Sequence, residues 1–417
     1  MRHRLRVLSL AALIVLAGCG QRERLNPFDP ANPTTGGHPA DFVALAGDGL
    51  VTLRWRFVAA EGLLGYQMFR RMAGDTAFAQ LGGLIPPTVT ATGDFGLPNG
   101  IDHTYRLYYV FDRGLGQIPA EDVATPGPLV PWVADYARGQ AILFTADGRR
   151  VFSEDPSYVG PIGIAADPAR GLVWVSDTDA GRIVVYSPSS ATHVNITTTT
   201  SPASLALDPV DGTAWVCDAP NDAVFHFQTN GAPASPAQLN LLDNPLDVAT
   251  DPVDRSVWVC ERGGNRMRHY DRSGSPTGAV DLTAPSRAAV DSVTHGVWVT
   301  SFTTGRLYAI SNAPAVSDSV SGFSGPIGVA VDSRRGRVWV ADAAGNQVVA
   351  VGRNNLVQFR VTAAGEPREV AVDPTTGNAW VTLASAGRVM QISPAGTVIR
   401  SLSGFARPDG ISIGVNP

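Results

Sequence analysis

Between residues 160 and 413, short apolar runs alternate with clusters of Asp, Pro, Gly and Ser at a nearly fixed interval. The stretch PIGIAADPARGLVWVSD returns as SPASLALDPVDGTAWVCD, NPLDVATDPVDRSVWVCE, APSRAAVDSVTHGVWVTS, GPIGVAVDSRRGRVWVAD and EPREVAVDPTTGNAWVTL. Each copy predicts an apolar strand, a tight turn on Asp-Pro or Asp-Ser, and a second apolar strand carrying Trp-Val. Asp caps its own turn and Pro presets φ there. A third strand is predicted after it, as at 183–186 and 348–351, often introduced by Gly-Arg, and a weaker fourth, as at 356–361 and 397–402. The runs are apolar on both faces, which predicts sheets covered on both sides.

The Trp-Val pairs begin at Trp132, Trp174, Trp215, Trp258, Trp298, Trp339 and Trp380, with spacings of 42, 41, 43, 40, 41 and 41 residues. A period near 40 carried by short strands predicts a β-propeller. The first pair lacks an inner strand before it, whereas 407–413 (RPDGISI) reads as an inner strand without a successor. One blade is therefore expected to be shared between the two ends of the domain, closing a ring of seven and leaving no free sheet edge. The pattern resembles the NHL and YVTN-like propeller families over 129–417. That resemblance implies architecture and leaves activity open, since propellers serve as enzymes, sensors and docking platforms.

Upstream, MRHRLR precedes the apolar VLSLAALIVLAG and Cys19. A basic start followed by so short an apolar run predicts a signal peptide over 1–18 and not a membrane-spanning helix. Leu16-Ala17-Gly18-Cys19 resembles a bacterial lipobox, which implies lipidation of Cys19 and attachment to the cell envelope. With Gly20 and not Asp next, outer-membrane attachment is the default expectation. Residues 19–37, with Pro27, Pro30 and Pro33, read as the anchor and an extended tether. Residues 38–127 alternate in three strands, around 51–55, 64–72 and 105–109. This segment resembles a fibronectin type III module, with Trp55 as the buried indole and Tyr105 as the corner tyrosine. The resemblance implies a spacer. The expected class is thus all-β, a sandwich followed by a seven-bladed propeller.

The net charge is −5 and becomes −8 without Arg2, Arg4 and Arg6, which argues against a nucleic-acid partner. All 32 basic residues are Arg, so Schiff-base chemistry, Ser-Lys dyads and Walker-type phosphate loops are excluded. Cys217 and Cys260 both stand two residues after a Trp, where other copies carry Ala, Ser or Thr. They are expected to be buried, unpaired thiols.

The seven His show no metal-ligand spacing, and His226 and His269 read as filler of third strands. Propeller ligands bind where inner strands begin. Acids recur at the facing ends of the second strands (Asp135, Asp177, Asp218, Glu261, Asp342) and read as partners of the following turn. Residues that break the repeat at inner-strand starts are the candidate ligand-binding set: Asp247, Arg287, Arg368, Glu369 and Asp409. Their opposite charges suit a polar or zwitterionic ligand at an exposed rim; the alternative is mutual salt bridging across the channel mouth. Gluconolactonase-like cages need more carboxylates and an amide, and the His and Glu of virginiamycin B lyase-like propellers have no counterpart here. Arg262 and Arg268 form a secondary candidate surface for an anionic partner. No cofactor is implied. The expected role is non-catalytic binding or scaffolding of a protein, peptide or glycan at the envelope; the alternative is a hydrolase or lyase in the funnel.

Overall fold

The computed structural model describes residues 26–33, 35–128, 130–147, 158–188, 192–197 and 199–414, with 151–153 by backbone alone. Cys19 and the signal segment lie outside the described residues. No α-helix occurs among those described.

Six blades follow in order, each a four-stranded antiparallel sheet. Their inner strands are Pro161–Asp167, Pro202–Leu207, Pro245–Thr250, Arg287–Asp291, Pro326–Asp332 and Pro367–Val372. In the seventh blade the inner strand Pro408–Ser412 pairs with Trp132–Asp135, followed by Gln140–Phe144 and Val151–Ser153. Neighbouring inner strands touch all the way round, and Pro408–Ser412 touches both the sixth and the first, so the ring closes. Six of the seven inner strands open on Pro, a position where a missing N–H costs no ladder bond.

Register explains the Trp repeat. Across from the seven indoles stand Ala165, Ala206, Ala249, Ala289, Ala330, Ala371 and Ser412. The small partner leaves the indole free to fill the space toward the next blade. Trp174 packs with Leu205 and Val216, and Trp298 with Val329 and Val340. This inter-blade packing is why both faces of each strand are apolar.

The turn before each third strand needs a left-handed residue. Gly139, Gly181, Asp222, Asn265, Gly305, Asn346 and Gly387 all hold φ between 48° and 64° there. Gly, Asn and Asp tolerate that conformation, which accounts for the recurrent Gly-Arg.

The remaining strands form a three-stranded sheet (Val43–Gly47, Leu50–Arg54, Ala91–Phe95) and a five-stranded sheet built around His103–Phe111. By contacts the described chain divides into two units. The first holds the residues up to Val43, Arg54–Thr90 and Thr104–Asp122; the second holds Ala44–Leu53, Ala91–His103 and Val123 onward. Within the first unit, Trp55 packs against Tyr66 (5.3 Å between ring centroids) and Tyr66 against Tyr109 (5.8 Å). Within the second, Ala146 N–H donates to the Ala46 carbonyl at 2.9 Å, and Gly127 N–H to that of Gly47 at 3.0 Å.

The tether is not extended where it is described. Residues 26–33 and 35–38 hold turns, with Asp29 N–H donating to Asn26 C=O (3.1 Å) and Gly36 N–H to Asn32 C=O (2.9 Å). Phe28 meets Tyr109 and Phe111 edge-on, at 4.9 and 4.7 Å. An aromatic anchor and Asx-type turns outweigh the stiffness of the prolines.

Candidate functional site

The inner strands carry a register shift near their start in every blade except the fourth, for example between Pro161 and Gly163 and between Pro245 and Asp247. A bulge there re-aims the following side chain off the ladder. The residues concerned line one cavity of about 200 Å³ on the channel, and all five candidates, Asp247, Arg287, Arg368, Glu369 and Asp409, border it.

Their charges are already engaged. Arg287 donates from Nε to Glu369 Oε2 at 3.1 Å and lies 3.9 Å from Asp247 Oδ1. Asp247 also accepts from the Ser204 hydroxyl and, at 2.7 Å, from Ala288 N–H in the next blade. Glu369 N–H donates to the Thr382 hydroxyl at 3.0 Å, whose own hydrogen goes to the Asp409 carbonyl at 2.9 Å. Nearer the mouth, Arg368 bonds Asp409 (2.8 Å) and Glu366 (3.1 Å), and Arg407 lies 3.3 Å from Asp409. A polar relay thus joins the second, third, fourth, sixth and seventh blades.

Burial raises the pKa of Asp247, Glu369 and Asp409, and the neighbouring arginines offset part of that rise. Arg287 is pressed by burial toward the neutral form, but Asp247 and Glu369 overcome this and hold its pKa above the usual value. The exposed rim expected from the sequence is therefore corrected. The Asp247 and Asp409 side chains are only 6% exposed and that of Arg287 20%; Arg368 and Arg407, at 31% and 42%, form the accessible end. The cause is the closeness of the inner strands. A Cβ on Gly163, Gly328 or Gly410 would stand 2.2–2.4 Å from a carbonyl oxygen of the neighbouring inner strand.

The repeated acids bind the loop that enters the inner strand of their own blade. Asp177 accepts from Val159 and Gly160 N–H (both 2.9 Å), Asp342 from Gly325 N–H (2.7 Å), and Asp135 from Ala406 and Arg407 N–H (both 2.8 Å). That loop lies 17–18 residues earlier for Asp177 and Asp342 and 271–272 residues later for Asp135. Asp218 also accepts from Asn221 Nδ2 of the following turn at 2.9 Å. Third-strand side chains complete them, as Arg182 does for Asp177 at 2.8 Å and Gln347 for Asp342 at 2.7 Å.

Arg268 belongs to this set. It pairs with buried Glu261 at 2.6 Å and donates to the Leu241 carbonyl at 2.9 Å, so it holds a loop. Arg262 is exposed. His226 stacks on Trp215 (3.8 Å, 5°) and His269 on Trp258 (4.1 Å, 23°), as strand filler does. Cys217 and Cys260 are buried free thiols, and burial pushes both well above the ordinary thiol range. Ser204, Glu366 and Arg407 are site residues that sequence reasoning missed. The signal for Ser204 was its place 43 residues before Asp247, one blade earlier on the ring.

Residues 323–351 match the NHL repeat. No curated protein matches the chain. Among solved structures, the chain is similar to a Lactobacillus plantarum protein, with TM-score 0.57 and 10% identity, covering 68% of this chain and 98% of that one. It is also similar to Kuenenia stuttgartiensis hydrazine synthase, with TM-score 0.54 and 13% identity, covering 62% of this chain and 90% of that one. At such identities the likeness is one of fold.

Proposed function

We propose that this chain is a bacterial envelope lipoprotein, anchored through Cys19, that binds a protein, peptide or glycan through its propeller without catalysis. In sequence, a segment resembling a fibronectin type III module lies between anchor and propeller as a spacer, and the outer membrane is the compartment the residues after the lipobox favour. The observation that carries the binding reading is the state of the channel charges. Asp247, Arg287 and Glu369 are spent on one another, whereas Arg368 and Arg407 keep exposed edges around Asp409. A polar or zwitterionic partner docking at this mouth would exchange with pairs that are already half solvated, at little desolvation cost.

Two experiments test the proposal. Cys19→Ser releases the protein from the membrane fraction, because acyl chains contribute about 0.8 kcal/mol per buried CH₂; unchanged partitioning removes the anchor. Envelope extract passed over the immobilised protein yields a partner that Arg368→Ala with Arg407→Ala loses and Arg262→Ala keeps. Capture that survives the first pair and fails with Arg262→Ala moves the site to the blade surface.

A further inference from the structure

A separate cavity lies at the far ends of the inner strands of the fourth, fifth and sixth blades. Its volume is about 520 Å³, and its wall includes Val290, Val331 and Val372, the half-buried ends of those three strands. Ligand pockets of about 300–1,000 Å³ hold small organic molecules, and here the apolar valines share the wall with Ser292, Asp332, Ser333, Arg334 and Thr375. Two of the arginines around this cavity are consumed. Arg335 pairs with Asp332 at 3.1 Å and Arg353 with Asp291 at 2.6 Å. Arg334, which also borders the cavity, is exposed and has no ion-pair partner among the described residues.

Arg334 also breaks the repeat. At the same turn position the other intact blades carry Ala169, Val210, Val253, Val293 and Thr375. Val210, Val253 and Val293 are 58%, 62% and 60% exposed, so the fold itself asks for no charge there. Three valines thus stand beside a guanidinium with no ion-pair partner among the described residues, in a lining completed by Pro252, Ser292, Asp332, Ser333, Pro374 and Thr375.

We propose that this cavity binds a medium-chain aliphatic carboxylate, its hydrocarbon tail against the three valines and its carboxylate on Arg334. Guanidinium suits this task because its planar fork meets a carboxylate in two parallel bonds. The proposal stands apart from whatever partner meets the mouth around Asp409.

Octanoate titrated into the purified full chain tests it, with methyl resonances of Val290, Val331 and Val372 as the readout. Octanoate shifts those methyls at saturable concentration, while octanol and acetate, each lacking half of the recognised chemistry, bind at least about tenfold more weakly. Arg334→Gln, an exposed substitution, weakens octanoate by about tenfold or more and leaves octanol unchanged. Thr375→Trp, which obstructs the cavity from an exposed turn, abolishes the shifts while melting like the unaltered protein. Equal octanoate affinity with and without Arg334, shifts confined to the starts of the inner strands, or full binding by Thr375→Trp would each overturn the assignment.

Discussion

Arg287 of the fourth blade reaches Glu369 of the sixth at 3.1 Å, passing over the fifth, where Gly328 offers no side chain. An ideal Cβ on Gly328 would lie 3.0 Å from Glu369 Oε1 and 2.4 Å from the Arg368 carbonyl oxygen. The ion pair and the glycine are therefore one arrangement, and neither reads correctly alone.

Arg287→Ala is expected to destabilise the protein by about 3–5 kcal/mol, because it leaves Asp247 and Glu369 buried without their shared cation. Gly328→Ala is expected to cost about 1–3 kcal/mol by crowding the same place. Urea unfolding measures both. An Arg287→Ala protein as stable as the parent would show that solvent, not the arginine, satisfies the two carboxylates.

Trp339→Ala removes an indole that is 0% exposed and packs among Val348, Val370 and Val381. The expected loss is about 3–5 kcal/mol. Leu241→Ala serves as the control, since Leu241 is 87% exposed. Both are read from chemical denaturation midpoints.

Deletion of residues 406–417 removes the strand Pro408–Ser412 and the two N–H donors that Asp135 accepts. Asp135 and Trp132 would then sit at a newly exposed edge. Loss of a cooperative melting transition, or insolubility, is expected. Cooperative melting at the parent temperature would mean that the ring does not depend on this strand.

Burial lowers the pKa of His226 and His269. In the unfolded chain both take up protons near about pH 6.5. Between that value and their lower folded pKa the unfolded chain holds more protons, so stability is full above about pH 6.5 and falls as pH drops. His295 has the opposite sign. Its bond to Asp251, at 2.8 Å, raises its pKa, giving stability that is present below the unfolded value and lost as pH rises through the folded one. Urea midpoints from pH 5 to pH 8 should lose their acid-side slope in His226→Phe with His269→Phe. They should lose their alkaline-side decline in His295→Asn.

Architecture was legible because packing imposes it on every blade. Trp opposite Ala and a left-handed residue before each third strand are local demands, and they recur wherever the fold recurs. The fourth strands lay within a residue of their expected place, since Val357–Thr362 and Val398–Ser403 carry the same turn signals. The candidate set at the inner-strand starts was found by its departure from the repeat, and all five residues border one cavity. That they could bridge one another was legible from their opposite charges, but which of them pair was not. Arg287 and Glu369 are 82 positions apart, and nothing in the spacing says that a guanidinium skips a blade. The backward reach of Asp177 and Asp342 was hidden for a related reason, because a carboxylate after a strand serves the turn behind it or the turn ahead equally well in sequence.

The closing strand also sets a clock. Arg407 donates to Asp135 across 272 positions of chain, and Pro408–Ser412 completes the blade that Trp132 begins. During synthesis, at about 5–20 residues per second, the first-made strands of that blade wait many seconds for their partner. Six blades can stack meanwhile, yet the molecule keeps two open flanks until the last piece is delivered. Any crowding, export or chaperone contact acts during that interval, and the seam between Trp132 and Ile411 is where the nascent protein is most exposed to the wrong neighbour.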